Sequence, residues 1–157
     1  MAKASNRYKS WVLIPLIFLL LMGSYFFFNP SYQKSLEAKF YYSMGNYHTA
    51  YVLSSEAYAL EPYNRMANSI MVQSKYALRY VNYNQEAQQY LDSIRSYASQ
   101  DKISIAEQMR IKMMCDIMIE KHQKMQPTIL IDDELVKQSL HYYKQFVDLH
   151  EKLIKTL

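Results

Sequence analysis

A chain of 157 residues, with 18 Lys and Arg against 14 Asp and Glu, is long enough for one domain plus an anchor. All 14 acids and 15 of the 18 cations follow residue 28, so that part is near +1 and the basic balance belongs to the amino-terminal tail; no nucleic-acid partner is expected. Two glycines exclude phosphate-cradling loops and the dinucleotide fingerprint, which need several at fixed spacing.

Residues 1–10 form a basic tail carrying Lys3, Arg7 and Lys9 and no acid. Trp11 to Phe28 is 18 residues without a charge. At 1.5 Å per residue that run spans about 27 Å, close to the hydrocarbon thickness of a bilayer. Trp11 at one end and Tyr25 and Tyr32 at the other suit the two interfaces. A single transmembrane helix over 11–28 is therefore expected. The residues after the apolar core, Leu21 to Tyr25, suit cleavage poorly, which favours an uncleaved anchor over a removed signal peptide. Cations before the run place the amino terminus in the cytoplasm and residues 29–157 across the membrane.

After Asn29-Pro30 the spacing is helical almost throughout. It predicts six helices near 31–44, 47–60, 64–81, 84–98, 104–124 and 132–156, which pair into three hairpins. In the first, Leu36, Phe40 and Met44 make one apolar stripe and Ala50, Leu53, Ala57 and Leu60 another, across a Met44-Gly45-Asn46-Tyr47 turn. Pro62 ends the second helix. Ala87, Leu91 and Ile94 repeat the spacing of Ala50, Ser54 and Ala57 at 37 residues' distance, after an Asn82-Tyr83-Asn84 turn. Ser104-Ile105-Ala106-Glu107 has the form of a capping box. Ala106, Met109, Met113 and Ile117 follow at helical spacing and are read as core, with an adaptable Met-lined binding surface as the alternative. Gln126-Pro127 ends that helix, Thr128 to Ile131 is a short loop, and Asp132 or Asp133 caps the last helix. The last helix carries two adjacent stripes, Leu135, Ser139, Tyr142, Phe146, Leu149, Leu153 and Val136, Leu140, Tyr143, Val147, His150, Ile154, Leu157. The second is expected to fold onto a neighbour, or else to dock a partner helix or a second copy of the chain.

The first hairpin resembles a tetratricopeptide repeat. The residues that carry the resemblance are Ala38 and Tyr41 in the first helix, Gly45 and Tyr47 at the turn, and Ala50, Ala57, Leu60, Pro62 and Asn64 beyond it. Lys34 and Glu37 stand where the family usually has Trp and Leu. The resemblance implies an all-α stack of about three hairpins that binds proteins or peptides in a groove lined by the first helix of each hairpin. Carried over, Ser35, Lys39 and Tyr42 would line that groove. The carboxylate-clamping version uses Lys and Asn at such positions, so Ser35 argues against that ligand.

No GxSxG, CxxC or HExxH occurs, and His48, His122, His141 and His150 share no ligand spacing with each other or with Cys115. Neither a cofactor, a metal nor an enzymatic site is expected. Cys115 is read as a small buried hydrophobe. The 16 tyrosines point to surfaces instead, with Tyr51 and Tyr58 expected to be exposed and Tyr142, Phe146, Leu149 and Leu153 as further partner-binding candidates. The expected function is a non-enzymatic adaptor or scaffold in a bacterial cell-envelope assembly such as a motility or secretion machine. It would be held in the inner membrane with its repeat domain in the periplasm. The alternative is an anchored periplasmic chaperone near the export channel.

Overall fold

A computed structural model describes residues 5–100, 102–125 and 131–156 of the chain, without the side chains of residues 5–10, 26, 27 and 156. Lys3 of the basic tail, the Gln126-Pro127 stop, the loop residues 128–130 and Leu157 lie outside that description, as do the side chains of Arg7 and Lys9. The described residues are all-α, a helical-hairpin architecture of six helices that is compatible with tetratricopeptide-like repeats. They are α1 (Ser5–Phe28), α2 (Pro30–Ser43), α3 (Tyr47–Leu60), α4 (Arg65–Ala98), α5 (Ile105–Gln123) and α6 (Asp133–Thr156). The chain divides into two compact units, the first ending at Ser74 and the second beginning at Lys75.

In the first unit, Asn29 caps α2 by accepting from the Ser31 N–H at 2.9 Å, and Pro30 occupies the first turn, where its missing N–H costs nothing. The hairpin turns at Gly45, whose φ of 76° is one that L side chains rarely adopt. Asn46 then caps α3, its side chain accepting from the Thr49 N–H at 3.2 Å. The seam between α2 and α3 is built from small side chains, Ser31, Ser35 and Ala38 on one side and Ala50, Ser54 and Ala57 on the other, all buried. Ala38, Ala50 and Ile70 of α4 form the apolar centre, with Tyr41, Tyr42, Leu53 and Met66 around it.

The expected helices over 64–81 and 84–98 are one continuous helix, α4, of 34 residues. Asn82-Tyr83-Asn84 is not a turn. Tyr83 and Asn84 are buried, and the Asn84 amide donates to the Leu135 carbonyl at 3.4 Å and to Gln138 Oε1 at 3.2 Å. The degenerate second repeat is therefore the carboxy-terminal part of α4, and two hairpins follow α1 rather than three, α2–α3 and α5–α6.

In the second unit, Tyr83, Ala87, Leu91 and Ile94 of α4 pack with Ile111, Cys115 and Met118 of α5 and with Phe146 of α6. The expected capping box starts α5, with Glu107 N–H donating to Ser104 Oγ at 3.3 Å and Ser104 N–H to Glu107 Oε2 at 2.8 Å. The Ser104 N–H, together with the Ser104 hydroxyl donating to the same oxygen at 2.7 Å, holds the Glu107 carboxyl below its usual range. Asp132 caps α6, accepting from the Glu134 N–H at 3.0 Å. Both stripes of α6 find neighbours in part. Tyr142, Phe146, Leu149 and Leu153 join the core, while the Tyr143 ring stacks on His122 at 4.4 Å and His150 Nε2 meets Asp116 Oδ1 at 2.9 Å. Leu140 and Ile154 stay exposed.

Candidate interaction surface

The polar heart of the first unit is Asn64, which is fully buried. Its Oδ1 accepts from the N–H groups of Met66 and Ala67, both at 3.1 Å, which caps α4. Its Nδ2 donates to Ser31 Oγ at 2.9 Å and Ser35 Oγ at 2.8 Å. Ser31 Oγ in turn donates to the Ala57 carbonyl at 2.8 Å. One side chain thus ties α2, α3 and the start of α4 together, and every donor in the group is satisfied. A buried Asn without such partners would cost free energy (about 1–3 kcal/mol per orphaned group).

This network decides the fate of the carried-over groove residues. Ser35 is fully buried and bonded to Asn64, so it cannot line a groove; the reason is that α3 offers only small residues at the seam and the hydroxyls fill it. Lys39 is exposed. Tyr42 is half-buried, edge-on to Tyr47 with ring centroids 5.3 Å apart. Tyr51 and Tyr58 are half-buried rather than exposed. Of the repeat signature, Ala38, Tyr47, Ala50 and Ala57 are buried and Tyr41 half-buried, Gly45 and Pro62 stand in turns, and Leu60 is 58% exposed rather than on the buried face.

The apolar stripe of α2 is also on the opposite side from the one expected. Leu36, Phe40 and Met44 are 58%, 58% and 66% exposed, while the hydroxyl- and methyl-bearing side faces α3. The same inversion occurs in α5. Of the expected core stripe, Ala106, Met109 and Met113 are exposed, as is Ile105, while Ile117 is half-buried; the buried side is Ile111, Cys115 and Met118. Each hairpin's first helix, counting Met44 at the carboxy-terminal cap of α2, therefore displays three large apolar side chains at i, i+4 and i+8, a spacing that aligns them on one face. Periodicity marks such stripes; it does not say whether the partner that covers them lies within the chain.

In the second unit Phe146 is fully buried in the core, which removes it from the candidate contacts. Tyr142 is half-buried against that core. Leu149 and Leu153 are half-buried and line an open apolar groove with Ile94, Ala98, Ile103 and Ile111. Cys115 is buried, and burial pushes its thiol up to about 11, out of the nucleophilic range. His122 lies between Tyr143 and the Tyr83 ring, whose centroid is 5.4 Å away, and burial lowers its pKa. Among the described residues no group of three His, Cys, Asp or Glu could hold a metal ion.

Trp11 and Phe28, the proposed ends of the span, are 80% and 75% exposed, and every side chain from Trp11 to Met22 is exposed. Among the described residues no single helix is long and apolar enough to cross a membrane, but Trp11–Tyr25 and Pro30–Ser43 pass together as a pair bent by 69°. Comparison of the chain with family models, with curated proteins and with solved structures finds no match.

Proposed function

We propose that the chain is a membrane-anchored protein-interaction module, a non-enzymatic adaptor or scaffold in a bacterial cell-envelope assembly. The observation that carries this reading is α1, a helix whose side chains from Trp11 to Met22 are all exposed and which joins directly to a folded hairpin unit. A helix apolar on every side belongs in a core or in a membrane, and among the described residues no core covers the stretch from Trp11 to Met22. Residues 11–28 supply an uncharged run of bilayer length, and the cations Lys3, Arg7 and Lys9 precede it. On this reading the amino terminus is cytoplasmic and both hairpins are periplasmic.

The face offered to a protein partner is Ile105, Met109 and Met113 of α5. Unbranched Met side chains adapt to a partner's contour, and Met is enriched at interfaces. That same adaptability favours, as a second reading, an anchored chaperone that holds many exported clients in turn. Cells carrying a photo-crosslinking residue in place of Met109 and a tag after Leu157 separate the two. A few partners of fixed stoichiometry, lost when the crosslinker instead replaces the exposed Lys144 of α6, support the scaffold. A long series of substoichiometric exported proteins supports the chaperone. Recovery of free monomer alone from mild membrane extracts would refute both.

A further inference from the structure

We propose that α2 lies in the headgroup layer of the membrane that α1 enters, with Leu36, Phe40 and Met44 facing lipid. The proposal rests on α1 being a membrane anchor and assigns an occupant to the face that the first hairpin leaves uncovered.

The bend fixes the geometry. With α1 along the membrane normal, an angle of 69° between α1 and α2 puts α2 at the complement of that angle, about 21°, from the bilayer plane. The 14 residues of α2 are about 21 Å long, so the helix rises by only about 7 Å from end to end. That rise stays within the interfacial layer, and an ordinary tilt of α1 (about 20°) would lay α2 flat.

The faces of α2 agree with that placement. At about 100° per residue, Leu36, Phe40 and Met44 fall within an arc of about 80°; exposed Gln33 and Ser43 in or beside that arc carry no charge, and the exposed Glu37 carboxylate stands at its margin next to Met44, where it can turn toward water. Ser31, Ser35 and Ala38 on the opposite side hold α3, which keeps α3 and the Lys34–Glu56 ion pair (2.6 Å) away from the apolar face. Lys39 stands at the margin of the stripe, where its stem can cover apolar surface while the ammonium reaches a phosphate. A second copy of the chain or a protein would also cover such a stripe. Lipid is favoured because the stripe begins within about 9 Å of Pro30, two residues past the end of the uncharged run at Phe28.

The test uses the full chain in vesicles of phosphatidylethanolamine and phosphatidylglycerol, part of the lipid brominated near the headgroup end of the acyl chains. Trp11→Phe removes the only native Trp. Phe40→Trp or Met44→Trp then reports on the stripe, and Val52→Trp, an exposed position on the far side of α3, is the control. The expected result is quenching of Trp at 40 and at 44 at least about twofold stronger than at 52, with emission shifted to the blue. A chain that resists alkaline extraction but whose stripe is quenched no more than position 52 overturns the interfacial placement while leaving the anchor intact. A chain released by alkaline extraction overturns the anchor reading and this placement with it.

Discussion

Asn64→Ala removes the side chain that joins three helices of the first unit, and its cost can be worked from the bonds lost. The two N–H groups it caps, Met66 and Ala67, lose their acceptor. Loss of an N-cap costs about 1 kcal/mol. The bonds to Ser31 and Ser35 disappear as well. Buried hydrogen bonds of this kind are worth about 1 kcal/mol each, so the total is about 3 kcal/mol. Native-state amide exchange of the full chain in micelles, read by mass spectrometry over residues 30–60, should speed up by about two orders of magnitude. Ser35→Ala alone should cost about 1 kcal/mol, and the double variant should fall short of the sum by a similar amount, because both single changes break the same bond. Exchange within threefold of the parent for Asn64→Ala, or strict additivity in the cycle, would refute the idea that this network holds α2 to α4.

Two further outcomes follow from local features. Gly45→Ala should destabilise the first unit by about 1 kcal/mol, because nothing lies within 4 Å of an added Cβ and only the φ of 76° resists it; an Asn at 45 should cost less, and equal losses for Ala and Asn would point to a packing cause instead. His122 has its pKa lowered by burial, so the unfolded chain takes up the proton first as pH falls. The stability of the second unit should therefore decline below about pH 6.5, and His122→Phe should flatten that part of a denaturation-versus-pH profile. An unchanged slope in the variant would remove His122 as the cause.

Most of the helical architecture could be read from spacing and caps, because helix starts are local chemistry. Asn29-Pro30, Ser104 with Glu107, and Asp132 each act on their own first turn. The continuity of α4 is masked in the sequence by Asn82 and Asn84, whose residue type favours turns. The contrary signal was present in Ala67, Ile70, Ser74, Ala77, Tyr80, Asn84, Ala87, Leu91 and Ile94, all buried and spaced by threes and fours without a break. Burial of Asn84 needs the Leu135 carbonyl and Gln138, which lie some fifty residues on, so no local window could assign it. The burial of Ser35 and the exposure of Leu36, Phe40 and Met44 were hidden for a similar reason. Apolar patterning ranks faces by hydrophobicity, whereas the α2–α3 seam is chosen by size, and a membrane or partner on the outer face can outweigh an internal core.

The size-selected seam has a thermal consequence. Ser31, Ser35, Ser54 and Asn64 fill space that Leu or Phe would occupy in an ordinary helical hairpin, and their neighbours Ala38, Ala50 and Ala57 add little hydrocarbon. Unfolding such a unit wets little apolar surface, and apolar hydration is the source of the positive heat-capacity increment. A small increment makes the stability curve broad and shallow. The α2–α3 hairpin should therefore lose little of its stability on cooling, in the range where cores built from large aliphatic side chains weaken.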